Sequence, residues 1–141
     1  LPILPGQVSA LRRDGETVYV STYDLGAGAY LLGAFDGTAW TELASPAANL
    51  TPNPDSNFNQ IRMVGDALVL VGSAVLDDGA GRGALVFQGG KFRALDGGVG
   101  GIGVSDVAIG DGAIWVAGSI AQAGPDASAV STVGLAVHHA E

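Results

Sequence analysis

The amino-acid sequence predicts an all-β fold assembled from a repeated four-stranded unit, and three observations carry that expectation. A turn dipeptide leads into a short apolar strand three times: Asp14-Gly15 before Val18-Tyr19-Val20, Gly65-Asp66 before Leu68-Val69-Leu70, and Asp111-Gly112 before Ile114-Trp115-Val116. Those strands recur at intervals of about 50 residues, the spacing of propeller blades rather than of separate domains. Glycine makes up 23 of 141 residues while charged residues are only 14 %, which suits many short buried strands joined by tight turns that need positive φ. Together these predict a β-propeller segment of three four-stranded blades, a partial ring completed by dimerisation or by another chain.

Each strand of the unit follows from its own pattern. The first reads Val8 to Arg12, then Gln60 to Val64, then Val104 to Ile109. The second is the apolar triplet, extended by Ser21-Thr22, Gly72-Ser73 and Gly118-Ser119. After a Gly-rich connection comes the third: Tyr30 to Phe35, Ala84 to Phe87, and Val133 to Val137. Asp36-Gly37 and Gly89-Gly90 then supply hairpin turns of the primed type. The fourth strand carries an aromatic with Leu three residues on, Trp40 with Leu43 and Phe92 with Leu95.

In the third unit the sequence stops at Glu141 before such a strand, while Leu1-Pro2-Ile3-Leu4 shows the same apolar spacing at the other end. The expected division is therefore 1–7 as the outer strand of a neighbouring blade, 8–59 as blade 1, 60–103 as blade 2, and 104–141 as blade 3 lacking its outer strand. An arc of three blades falls short of the roughly 4–8 that close a propeller. The expected partner is a second copy or a sister propeller chain, with Leu1 to Leu4 pairing beside Ala136 to His138 of that partner. The start at Leu1, with no charged or apolar leader, fits a processed or excised product.

Composition excludes several function classes. The chain is 48 % apolar, with apolar residues in clusters, which separates it from disordered sequences. Net charge is −8, from 14 acidic against 6 basic residues; with no basic patch to displace phosphate counterions, nucleic acid is not an expected partner. Cysteine is absent, so disulfides and thiolate metal sites play no part. No apolar run approaches about 20 residues, so no membrane-spanning helix is expected.

Three segments carry a family likeness: Ile114-Trp115-Val116-Ala117-Gly118-Ser119, the run from Phe35-Asp36-Gly37 through Trp40 to Leu43, and Leu95-Asp96-Gly97-Gly98-Val99-Gly100. The pattern resembles bacterial secreted β-propeller repeats, which are similar to kelch and galactose-oxidase-like blades and to the repeats of fungal cortical cell-polarity markers. The resemblance implies a propeller fold and an extracytoplasmic or secreted location. Its motifs are structural, and Gln88-Gly89-Gly90 departs from the expected Asp-Gly.

No catalytic constellation stands out. His138 and His139 are adjacent, so on a strand they point to opposite faces and do not share a metal. Asp77-Asp78-Gly79-Ala80-Gly81-Arg82 lacks the alternating oxygen ligands and distal Glu of a calcium loop and reads as a hairpin connection. Its glycines precede a strand, not the helix that a dinucleotide cradle requires. No cofactor is implied. Asp106 lies inside an innermost strand, facing either a central channel or a neighbouring turn. Tyr19, Trp40, Phe92 and Trp115 hold equivalent repeat positions and are expected as core between blades.

The remaining signal is a loop face. The segment Asn49 to Asn59 lengthens one between-blade connection and fills it with Asn, Asp and Pro, and long polar loops on a rigid scaffold concentrate binding residues. Propeller topology puts this connection on the same face as the loops between second and third strands. Tyr23, Asp24, Asp55, Asn57, Asp77, Asp78, Arg82 and Asp126 are then expected at one mouth, an acidic, amide-bearing surface suited to a sugar or a cation. The Asn49-Leu50-Thr51 sequon bears on glycosylation only in a source that modifies secreted proteins. Three functions follow from this reading: a non-catalytic surface module binding a protein or glycan, a fragment of a propeller hydrolase or lyase whose site is completed by missing blades, or a structural spacer.

Overall fold

The computed structural model describes residues 6–26, 28–44, 49–51, 57–79, 81–124, 130–131 and 134–139. Among the described residues the fold is all-β, with twelve strands in three antiparallel sheets and one 3₁₀ turn at Leu95–Gly97. Sheet 1 contains β1 (Gln7–Asp14), β2 (Thr17–Asp24), β3 (Ala29–Phe35) and β4 (Trp40–Ala44) in sequence order. Sheet 2 repeats the meander with β5 (Phe58–Val64), β6 (Ala67–Val75), β7 (Arg82–Gln88) and β8 (Lys91–Ala94). In sheet 3, β10 (Ala113–Ala123) lies between β9 (Val99–Gly110) and β12 (Leu135–His139), with the short β11 (Val130–Ser131) also on β10.

Period-two alternation decides where the core sits. In β6, Leu68 and Leu70 point into one apolar cluster while Val69 and Val71 point into another; in β7, Leu85 and Phe87 divide from Ala84 and Val86 in the same way. The first cluster fills the space between sheets 1 and 2, with Tyr23, Tyr30 and Leu32 facing Phe58, Ile61 and Phe92. The second joins sheet 2 to Val104, Val107, Ile114, Val116 and Ile120 of sheet 3. Sheet 2 is thus covered on both faces, and the sheets stack in the order of the sequence. Their first strands are neighbours: β5 lies against both β1 and β9. Asn59 Nδ2 donates to the Val104 carbonyl at 3.0 Å, and Gln60 Nε2 donates to the Asp106 carboxylate.

Two elements differ from the sequence expectation. Strand β9 begins at Val99, where the strand was expected from Val104, because the glycines read as a connection belong to the strand. On Gly101 a Cβ would run into the Ser119 carbonyl, and on Gly118 into that of Gly103, so glycine lets these bulged backbones approach. The third strand of this unit is displaced toward the C-terminus, spanning Leu135–His139 where Val133 to Val137 was expected. The outer strand at Leu1 to Leu4, and so its pairing, lies outside the described residues.

Candidate functional site

The two ends of the sheets are built differently. At one end every connection is a tight turn: Asp14-Gly15, Asp36-Gly37, Gly65-Asp66, Gly89-Gly90 and Asp111-Gly112. Gly89 and Gly90 have φ of 61° and 82°, the conformation that primed hairpin turns need. The opposite end gathers the β2–β3, β4–β5, β6–β7 and β8–β9 connections, of which β4–β5 and β6–β7 are longer than any at the first end. All of the described candidate residues lie at that end.

Sheet 2 brings several of them together. The β4–β5 connection runs beside the end of β6: Leu50 bridges Leu76, and the Asp77 amide donates to the Asn49 carbonyl at 3.0 Å. Asp77 and Asp78 are exposed at the tip of the β6–β7 hairpin, whose base is closed by Leu76 donating to the Gly81 carbonyl at 2.9 Å. The hairpin reading of this segment therefore holds. Asn57 is exposed, and its amide donates to Ser73 Oγ at 3.0 Å. Arg82, exposed at the start of β7, reaches the Gly101 carbonyl of sheet 3.

Other candidates stand apart. Tyr23 is buried rather than at the mouth, its ring edge-on to Tyr30 at 4.9 Å between centroids; it is a core residue because its alternation places it toward sheet 2. Asp24 ends β2, its carboxylate accepting from the Gly26 amide at 2.8 Å. Asp55 and Asp126 lie outside the described residues.

Asn49 has a role that the sequence does not suggest. Its amide nitrogen donates to the Phe92 carbonyl at 2.8 Å, and its amide oxygen accepts from the Phe92 amide at 3.1 Å. One side chain so mimics a strand neighbour for the outer edge of sheet 2, and the adjoining Leu50 is buried in the first core cluster. The start of the segment read as a polar insertion, Asn49 to Thr51, is therefore structural, and the Nδ2 atom of the sequon is already engaged. Only the left-handed backbone at Asn49, φ 39°, agrees with a residue type that tolerates that region.

A shallow groove opens between the 3₁₀ turn and sheet 3, lined by Leu95, Asp96, Val116, Ala136 and His138. His138 Nδ1 lies 3.4 Å from Asp96 Oδ2, and His139 points to the opposite face of β12, as adjacent strand residues must. Asp106 is exposed and held by the Gln60 side chain and by the Val107 amide at 2.8 Å. Among the described residues no group of three or more His, Cys, Asp or Glu is placed to hold a metal ion. No helix among them is long and apolar enough to cross a membrane.

Of the four aromatics expected between blades, Phe92 is buried and Tyr19 packs on the first cluster. Trp40 is half-buried, its indole lying over Gly33, where a Cβ would strike the ring. Trp115 is exposed. No protein-family model, curated protein or solved structure matches the chain.

Proposed function

We propose that the three sheets are consecutive blades of a β-propeller and that the protein is an extracytoplasmic or surface binding module for a glycan or protein ligand. The segregation of connections carries this reading: tight turns occupy one end, and the longer loops with Asn57, Asp77, Asp78 and Arg82 occupy the other. Such a division lets loops vary while sheets stay fixed, and it puts hydrogen-bonding side chains on a rigid base. The neighbouring first strands and the serial stacking of sheets support blades about a common axis, and the resemblance to secreted repeats supports the location. Exposed carboxylates and amides offer acceptors and donors for ligand hydroxyl or backbone groups.

A glycan array and a pull-down against surface extracts test this reading, using the wild type beside the double variant Asp77→Ala/Asp78→Ala. The expected result is a ligand whose affinity falls about tenfold or more in the variant, the size of one or two lost charged hydrogen bonds. Turnover of a polysaccharide by the wild type, with no ligand retained, would replace the binding reading with an enzymatic one.

A further inference from the structure

On the first strand of each sheet, equivalent positions are buried or exposed according to whether another sheet stands beside them, while on the inner strands of the same face of sheet 1 Val20 and Leu31 are buried, with the Trp40 ring over Gly33. Register fixes the equivalences: Leu11 faces Val20 in sheet 1, Ile61 faces Leu70 in sheet 2, and Val107 faces Val116 in sheet 3. Ile61 and Val107, each covered by the preceding sheet, are 0 % and 3 % exposed, whereas Leu11 is 62 % exposed. Val8, on the same face of sheet 1, is 52 % exposed.

The opposite face of sheet 3 repeats the pattern in mirror order. Val69 and its neighbour Val86 are covered by the following sheet, and their equivalents Trp115 and Val137 are 42 % and 41 % exposed. Leu135 is 51 % exposed where Leu32 of sheet 1 and Ala84 of sheet 2 are buried. The molecule therefore presents, on its two terminal sheets, the two unlike halves of the junction that it makes twice within itself. Exposed large apolar side chains grouped in this way, Leu11 and Val8 on β1 of one sheet and Trp115, Leu135 and Val137 on the other, mark interaction sites.

We propose that a second copy of this chain covers these faces head to tail, its Leu11 face of sheet 1 seated on the Trp115 face of sheet 3. The occupant follows from the internal junctions: each such face is covered by the adjacent sheet of the same repeat, and the complementary sheet surface is present on every copy. Two identical junctions related by a two-fold axis then close six sheets into a ring, a number within the range of closed propellers. The proposal rests on the blade reading of the sheets but not on ligand binding at the loop end.

Light scattering with size-exclusion chromatography at about 10 μM, within the range where apolar interfaces of standard size hold, reads the outcome. The wild type is expected at twice the 14.0 kDa chain mass. Leu11→Asp and Trp115→Asp should each raise the dissociation constant about 100-fold or more, as a charge at the centre of an apolar contact does. The decisive arm mixes them. A Leu11→Asp copy keeps its Trp115 face and a Trp115→Asp copy keeps its Leu11 face, so the mixture regains one intact junction and associates when neither variant does alone. Both residues are surface-exposed in the single chain, and Val8→Asp with Val137→Asp repeats the experiment at a second position of each face. A monomeric wild type, or variants that dissociate but fail to complement, would overturn the arrangement. Neither result touches the loop-end test, which reads ligand and not mass.

Discussion

Sheet 2 and its two neighbours share one strand plan, and they differ in what touches them. Sheet 2 has no solvent-facing side: Leu68, Leu70 and Leu85 are buried toward sheet 1, and Val69, Val71 and Ala84 toward sheet 3. Sheets 1 and 3 bury only one face completely. A repeat position is therefore not a core position by virtue of its residue type. Leu11 is as apolar as Ile61, and Trp115 exceeds Val69 in apolar area, yet Leu11 and Trp115 are the exposed ones. For these pairs the presence of a neighbouring sheet, not residue type, accounts for burial.

The largest effect should come from breaking that comparison at its sharpest pair. Ile61→Ala removes a side chain enclosed by two sheets, and a cost of about 2–5 kcal/mol follows from lost transfer energy and a residual cavity. Leu11→Ala at the equivalent position, measured in dilute solution where copies are apart, should stay within about 0.5 kcal/mol. Urea denaturation of the two variants checks it. Equal costs would show that burial in the single chain does not follow the order of sheets.

A smaller loss is expected at the outer edge of sheet 2. Asn49 makes both hydrogen bonds that a further strand would make to Phe92, so Asn49→Ala leaves a carbonyl and an amide without that partner in a half-buried place. About 1–3 kcal/mol should be lost, with faster hydrogen exchange at the Phe92 amide as the local signature. Unchanged exchange there would mean that the contact does not hold the edge.

Much of this was legible in the residues, and the limits have physical causes. Turn dipeptides and alternating apolar runs place β1 to β8 to within a few residues, because both signals are local. The glycines at 100, 101 and 103 mislead for the same reason: locally they read as a connection, while Gly101 sits against the Ser119 carbonyl of the paired strand and Gly103 against the Gly72 carbonyl of sheet 2. The side of the sheet on which Tyr23 lies depends on strand register, and its burial on sheet 2, so its place in the core was not readable from a polar, Asp-flanked loop. Asn49 was hidden because its partner is 43 residues away. The exposed Asp77 and Asp78 were readable because they sit at a hairpin tip that the sequence itself marks with glycine.

The smallest expected effect separates the outer hairpins of sheets 1 and 2. The β7–β8 turn relies on Gly89-Gly90, whereas in the β3–β4 turn the Asp36 carboxylate accepts from the Ala39 amide at 2.7 Å and from the Thr38 amide and hydroxyl at 2.8 Å. These bonds, the Ala39 amide first, favour the ionised form and hold Asp36 down from its ordinary 3.8 to about 2. A carboxyl depressed in the folded state adds stability that is fully present above its unfolded value and is lost as pH falls through its folded one. The contribution of Asp36 should accordingly be intact above 3.8 and disappear toward 2. Because Asp36 is fully solvent-exposed the effect is modest, and it is best read as a difference: the stability gap between wild type and Asp36→Gly, which gives sheet 1 a glycine turn like that of sheet 2, should narrow steadily over that interval as the other carboxylates titrate alike in both proteins. An NMR titration of Asp36 with an ordinary midpoint near 3.8, or a gap that does not change with pH, would show that the turn is held by its backbone alone.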